Sequence, residues 1–353
     1  MPYHLYHLLV FTVSSLVVLL STPIVKKIAI KSGRFDPPGG RKIHQHPMVR
    51  LGGVSIFTGT LVALLLVWSL GGFVDANGAP LHGEKEYEIW GVTLGGIAFF
   101  LIGLADDLFS LSALSRLTMQ TAVASLVWFV GVRIDFLTIP GAGLTQLGLL
   151  SLPLTVIWLV GMTNAINWID GLDGLAAGVS GIAAVVMLAV SLFMKQPAAA
   201  LIAAALAGSA LGFLRYNFNP AQIFMGDGGS YFMGFTLAGV GVIGLVKTTA
   251  VTAVFLPYLI LAVPILDMSA VILSRLRDGK SPFSADKRHL HHRLLRAGLS
   301  HRRTVLFIYV LTLWAGTLAI AFSGIPSGLA YAGAATALLT YMSWRVWKHA
   351  RQS

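Results

Sequence analysis

Five of the chain's fourteen carboxylates fall in three short motifs: Asp106-Asp107 in GLADDLFSLSALSR, Asp170 and Asp173 in NAINWIDGLDGL, and Asp227 in FMGDGGS. Two adjacent carboxylates at one helix end repel each other, and a bound divalent cation relieves that repulsion. Asp227 lies among Gly226, Gly228 and Gly229, which let backbone amides come close to an anion. Taken singly, the first pair also reads as a solvated helix end and Asp227 as a turn residue. Asn164, Asn167 and Asp170 are spaced by three, which puts all of them on one face of a continuing helix, and the two Asp-Gly steps then mark a tight break. Capping accounts for one such residue, not four in ten.

The complementary charges lie in two basic stretches. SPFSADKRHLHHRLLRAGLSHRR combines His289, His291 and His292 with Lys287, Arg288, Arg293, Arg296, Arg302 and Arg303. The tight histidine spacing, the cationic surroundings and the lack of cysteine argue against zinc. The pattern suits a cationic clamp on a pyrophosphate or nucleotide. GRFDPPGGRKIHQHPMVRLGG carries Arg41, Lys42, His44, His46 and Arg50 and reads as a basic loop at a membrane surface, facing anionic headgroups or a lipid-borne phosphate. Asp267 stands apart, eight residues before Arg275 or ~12 Å deeper at helical rise. It either lines a polar cleft or bonds a neighbouring helix.

The elements that must position these groups are membrane helices. Of 353 residues 56% are apolar and only 11% charged, with no cysteine, and mean hydropathy is +0.78. About a quarter of a soluble domain is charged, so a soluble enzyme, a disordered chain and a disulfide scaffold are excluded. Apolar runs able to bridge ~30 Å of hydrocarbon occur at about 5–25, 53–73, 89–105, 115–132, 149–164, 174–194, 198–215, 229–246, 251–274, 304–323 and 327–345. The expected fold is all-α: a polytopic integral membrane protein of about eleven transmembrane helices in a single domain, 1–353.

The first run has no Lys or Arg before it and Lys26 and Lys27 after it, which argues against a signal peptide and for an outside N-terminus. Segments 26–52, 106–116, 165–173, 216–228 and 275–303 and the C-terminus then share one side. The other side holds Lys85, Arg133, Lys195 and Lys247, leaving 21 of the 25 Lys and Arg on the first, which marks it as cytoplasmic. The net charge of +11 is therefore one-sided, and nucleic acid drops out as a partner. All three glutamates, Glu84, Glu86 and Glu88, are expected in one outer loop.

In this order, RKIHQHPMVRLGG, GLADDLFSLSA, NAINWIDGLDGL, FMGDGGS and SPFSADKRHLHHRLL resemble the polyprenyl-phosphate N-acetylhexosamine-1-phosphate transferases, integral membrane enzymes that start cell-wall and surface-glycan synthesis. MVRLGG and NAINWIDGLDGL look like the branch using UDP-GlcNAc rather than the muramyl-pentapeptide branch. Unlike some members, the chain has no further acidic residue at Leu108 to Leu111.

The resemblance implies magnesium, with manganese as an alternative, at Asp227 and Asn167, with Asp106 and Asp107 beside it as catalytic residues. It implies uridine at Gly171-Leu172-Asp173 and Phe224, and places His289, His291, His292 and Arg293 near the sugar and pyrophosphate. Asn164 and Asp170 belong to the same substrate-binding set, and Lys42 and Arg116 would be further phosphate contacts. The implied reaction joins UDP-GlcNAc and undecaprenyl phosphate at the cytoplasmic face of the inner membrane, with lipid as surroundings and room for a homodimer. UDP-GalNAc or UDP-MurNAc-pentapeptide is the alternative donor. An ion-coupled transporter is the rival of another class, but it would keep its carboxylates near the midplane and show repeated halves. A lipid-recruiting scaffold has no use for one-sided Asn and Asp motifs.

Overall fold

A computed structural model describes residues 2–34, 48–139, 143–246, 255–281 and 288–350. Thirteen helices are named among these residues: α1 (Tyr3–Lys31), α2 (Gly52–Ser69), α3 (Glu84–Phe109), α4 (Ala113–Phe129), α5 (Ser151–Ile169), α6 (Leu175–Phe193), α7 (Pro197–Asn217), α8 (Gly226–Val240), α9 (Leu256–Ile260), α10 (Ala262–Arg277), α11 (Leu290–Arg296), α12 (His301–Phe322) and α13 (Gly328–Ala350). Helices dominate because hydrocarbon offers backbone amides and carbonyls no partner, so each segment must bond internally.

Every apolar run read from the sequence overlaps helix in its described residues, although the 53–73 and 115–132 runs extend past α2 and α4 and the 251–274 run is divided between α9 and α10. Seven stretches are long and apolar enough to cross a membrane: α1, α2, α3, Gly148–Ile169, α6, α7 and α12. At 17, 15 and 16 residues, α4, α8 and α10 are short. The long α13 is diluted by Tyr, Thr, Trp and Arg. The chain is thus an all-α integral membrane protein with seven clear candidate spans among the described residues.

Helices also run past their apolar stretches into segments expected as loops. Backbone pairing does not stop where side chains turn polar, so α3 includes Asp106 and Asp107, and α5 includes Asn167. At its other end α3 begins with Glu84, so the three glutamates are helical rather than in a loop. Carboxylates there complement the positive end of the helix dipole. Between α4 and α5 lies an antiparallel pair, β1 (Phe136–Ile139) with β2 (Gly143–Gln146), which an all-α reading did not include.

The bundle is centred on α7, packed by α1, α2, α6 and α8. Its run PAAALIAAALAGSALG presents small side chains, and small surfaces let membrane helices approach closely. A buried bond between Thr60 Oγ1 and Ser209 Oγ (2.8 Å) joins α2 to α7. The Trp158 indole donates to the Ala238 carbonyl (3.0 Å), joining α5 to α8.

The N-terminal end of α8 is held where side chains are absent. A Cβ at Gly53 on α2 would lie 2.2 Å from the Gly229 nitrogen, and one at Gly103 on α3 would lie 2.3 Å from the Asp227 carbonyl oxygen. Both neighbours are backbone, which cannot swing away. Gly103→Ala therefore drives α3 from α8, with an overpacking cost of about 1–3 kcal/mol. A melting temperature several degrees lower is expected. Gly161→Ala, whose Cβ would meet nothing within 4 Å, is the control and should not fall, since alanine is the better helix former. Equal melting temperatures in a detergent thermal-shift comparison would contradict the close packing.

Candidate active site

Three helix ends and two turns meet around a cavity of about 240 Å³, lined by Arg50, Asp107, Asp170, Gly171, Leu172, Asp173, Asn217, Phe224, Met225, Gly226 and Asp227. Its frame is backbone. Val49 accepts from the Phe224 amide (2.8 Å), while the amides of Gly52 and Gly53 donate to the carbonyls of Phe224 (2.9 Å) and Met225 (2.7 Å). The stretch before α2 and the turn before α8 are thereby zipped together, and Arg50 is carried to the cavity wall.

Asp227 occupies the first turn of α8. The first amides of a helix lack partners within it, and here another helix supplies them. Asp107 on α3 accepts from the Asp227 amide with one oxygen and from the Gly228 amide with the other, both at 2.9 Å. The Asp227 carboxylate accepts from Asn167 Nδ2 on α5 (2.8 Å), which also donates to Ser230 Oγ (3.0 Å). Arg116, on α4, pairs with Asp106 at 2.5 Å and reaches Asp227 at 3.6 Å. Asp106 also accepts the Leu111 amide (2.7 Å), which secures the α3–α4 turn. Four helices therefore converge on one carboxylate.

The turn between α5 and α6 is built similarly. Asp173 accepts from Asn219 Nδ2 (2.9 Å) and from the Ala221 amide (3.0 Å). The Gly174 amide donates to Asn217 (3.1 Å), and the Tyr309 hydroxyl donates to the Gly174 carbonyl. Asp170 is pushed up to about 7, first by burial and then by the charges of Asp107 and Asp173, with Arg50 opposing.

Beside this turn stands the histidine segment. The His291 ring abuts Gly171, where a Cβ would sit 2.5 Å from Nε2. Burial first, and then the neighbouring His292, push His291 down to about 4. Its surroundings thus disfavour the cationic form of this ring. His289 turns inward to Asp267. The two alternatives for Asp267 thus resolve toward bonding a neighbouring segment.

Most of the residues singled out in the sequence gather here: Asp107, Asp170, Gly171, Leu172, Asp173, Phe224 and Asp227 line the cavity, with Asn167, Asp106 and Arg116 against Asp227. Asn164 does not join them. It lies one turn back along α5, where its Nδ2 donates to Gln120 Oε1 and to the Val160 carbonyl, both at 2.8 Å, so it bridges α5 to α4. Arg293 lies on the short α11 beside His292, and Lys42 falls outside the described residues. Arg50, Asn217, Asn219, Ser230 and Tyr309 were not singled out for the site. Only Arg50 had a signal, as the last cation of the first basic stretch.

The cavity wall carries four carboxylates against Arg50. An anionic ligand is repelled by such a wall unless a cation enters with it. The donor set, carboxylate and amide oxygens, is the hard type that suits magnesium, which takes one or two carboxylates and completes its shell with water and phosphate oxygens. Among the described residues no three His, Asp or Glu side chains form a self-sufficient metal site. Asp227 with Asn167 fits an ion shared with substrate.

Fold and site together define a polytopic membrane protein with a carboxylate-rich polar cavity at one end of its bundle. The glycosyl transferase family 4 profile matches residues 89–245, which contain the Asp106-Asp107, Asn167–Asp173 and Asp227 motifs. A Bacillus subtilis protein named "Probable undecaprenyl-phosphate N-acetylglucosaminyl 1-phosphate transferase" is 41% identical over 305 residues, 85% of this chain and 80% of that protein. "Decaprenyl-phosphate N-acetylglucosaminephosphotransferase" of Mycolicibacterium smegmatis is 36% identical over 337 residues, covering 88% and 80%. The Escherichia coli "Undecaprenyl-phosphate alpha-N-acetylglucosaminyl 1-phosphate transferase" is 30% identical over 299 residues, covering 80% and 75%. The chain belongs to the polyprenyl-phosphate N-acetylhexosamine-1-phosphate transferase family.

Proposed function

We propose that the chain transfers N-acetylglucosamine-1-phosphate from UDP-GlcNAc to undecaprenyl phosphate, releasing UMP and leaving undecaprenyl-diphospho-GlcNAc. The observation that carries this is the meeting of Asp227 and Asp107, backed by Asn167, Asp106 and Arg116, at the wall of a cavity that the Asp170–Asp173 turn also lines. The names of the Bacillus and Escherichia relatives support undecaprenyl phosphate as the acceptor, and the Mycolicibacterium name makes decaprenyl phosphate the second choice.

The acceptor's phosphate oxygen attacks the β-phosphorus, forming one P–O bond as the bond to UMP breaks. Two anions must meet, so neutralising charge dominates the barrier. Magnesium held by Asp227 and Asn167 would supply this neutralisation at the pyrophosphate oxygens. Arg50 on the cavity wall and Arg116 beside Asp227 add fixed positive charge, and Asp107 fixes where Asp227 stands. The phosphate monoester has its second pKa near 6 and is mostly dianionic at pH 7, so no base is needed to free its nucleophile. Asp106, bonded to Arg116 and Leu111, then acts as a brace for the arginine. The excess of Lys and Arg on the same side as these motifs supports a cytoplasmic site in an N-out chain of the inner membrane.

The test is direct. Detergent-purified protein, magnesium, undecaprenyl phosphate and labelled UDP-GlcNAc should yield UMP and a labelled lipid, and chelation should stop both. No product from UDP-GlcNAc or from UDP-GalNAc would overturn the assignment.

A further inference from the structure

Asp267 is a buried carboxylate on α10, 8% exposed, whose chain neighbours are apolar. A carboxylate at such a place is expensive and is kept for a function. Both of its oxygens are spent on consecutive residues of another segment. Oδ2 lies 2.8 Å from His289 Nδ1, and Oδ1 accepts the Leu290 amide at 2.6 Å. An ionised carboxylate can only accept, so the form of His289 that bonds one is the form with a proton on Nδ1. These two bonds fix the entry to α11, whose next residues are His291 and His292.

From there the contacts lead to the cavity. The His289 ring meets Trp168 of α5 edge-on, centroids 5.8 Å apart, and lies parallel to the His291 ring at 5.7 Å. Trp168 is covered on its face by the Arg275 guanidinium at 4.8 Å. His291 in turn abuts Gly171 on the cavity wall.

We propose that Asp267 is a positioning residue for the phosphoryl transfer: by holding His289 and the Leu290 amide, it sets His291 against the Gly171 turn of the donor site. The inference rests on the transferase reading above, and it concerns how that site is assembled rather than which groups touch the reacting atoms.

The test measures UMP release by the full chain in detergent, with separate KM values for UDP-GlcNAc and undecaprenyl phosphate, and melting temperatures alongside. Asp267→Ala loses both anchors and should lower kcat/KM for UDP-GlcNAc about 100-fold, with the lipid KM within twofold of wild type. Losing a partner behind a site residue commonly costs 10–100-fold in metal sites. Asp267→Asn keeps an acceptor for the Leu290 amide and should lose about tenfold, and it serves as the readout if the alanine variant does not fold.

His289→Ala should lose activity, and His289→Asn should recover most of it, because the Asn amide nitrogen can donate to Asp267 from near the Nδ1 position. The double variant Asp267→Ala/His289→Ala should be no worse than Asp267→Ala, as expected for residues acting in series. Asp267→Ala within twofold of wild type, equal rises in both KM values, multiplying losses in the double variant, or no recovery with asparagine would each overturn the inference. A wild-type protein that releases no UMP would instead overturn the transferase reading itself.

Discussion

Asp227→Ala lowers UMP release by at least about 1,000-fold while the melting temperature stays within about two degrees of wild type. The two halves of this expectation have separate causes. A thousandfold loss corresponds to about 4 kcal/mol of transition-state stabilisation, the size expected when a group proposed to hold a neutralising cation against two reacting anions is removed. The fold loses little because the carboxylate, 31% exposed, contributes to opposing terms. Removing it deprives Asn167 of an acceptor, a loss of about 1 kcal/mol. It also removes a negative charge packed near Asp106 and Asp107, which relieves repulsion. The backbone bonds from the 227 and 228 amides to Asp107 do not involve the Asp227 side chain and remain. Asp227→Asn is the sharper comparison, since it keeps shape and hydrogen bonding but not charge. If it retained activity within tenfold of wild type, a carboxylate would not be required there and the metal assignment to Asp227 would be lost.

What the sequence could and could not say about this site follows from the range of its signals. Apolar runs report that a segment is buried in lipid or protein, and each run overlaps helix among the described residues. They do not report where the helix stops, because pairing continues through polar residues, as at Asp106-Asp107 and Asn167. Spacing by three placed Asn164, Asn167 and Asp170 on one face, but a face is not a neighbour. Gln120 on α4 captures Asn164 before it can reach the cavity, and nothing near residue 164 in the chain announces that partner. The same holds for Asp267 and His289, 22 residues apart, and for Gly174 and Tyr309, 135 apart. The carboxylate motifs were legible because each is locally odd for a membrane chain. Their supports were not, because an Asn, a Tyr or a Gly is ordinary until packing gives it a partner. The lowered pKa of His291 belongs to this second class, since burial and the neighbouring His292 set it rather than the residue type.

Asp107 is the second site of large effect, and its failure should look different from that of Asp227. Both Asp107 oxygens accept backbone amides from the start of α8, 120 residues away, at 2.9 Å each. It therefore caps the helix that carries Asp227. Asp107→Asn leaves one accepting oxygen and turns an amide N–H toward a backbone N–H, so one bond is lost and a donor faces a donor. A polar backbone group left unsatisfied in a half-buried place costs about 1–3 kcal/mol, and here that cost falls on α8 where α2 and α3 leave no slack around Gly53 and Gly103. The first turn must shift, and Asp227 shifts with it. Misplacement of about 1 Å is enough to cost about 100-fold in rate. The expected result for Asp107→Asn is thus an activity loss of about 100-fold or more together with a melting temperature several degrees lower. This pairing separates the two aspartates: Asp227→Ala removes chemistry from an intact frame, whereas Asp107→Asn loosens the frame and loses chemistry as a consequence. An Asp107→Asn protein with unchanged melting temperature and no activity would show that Asp107 acts on the substrates directly, and the capping account would then be wrong.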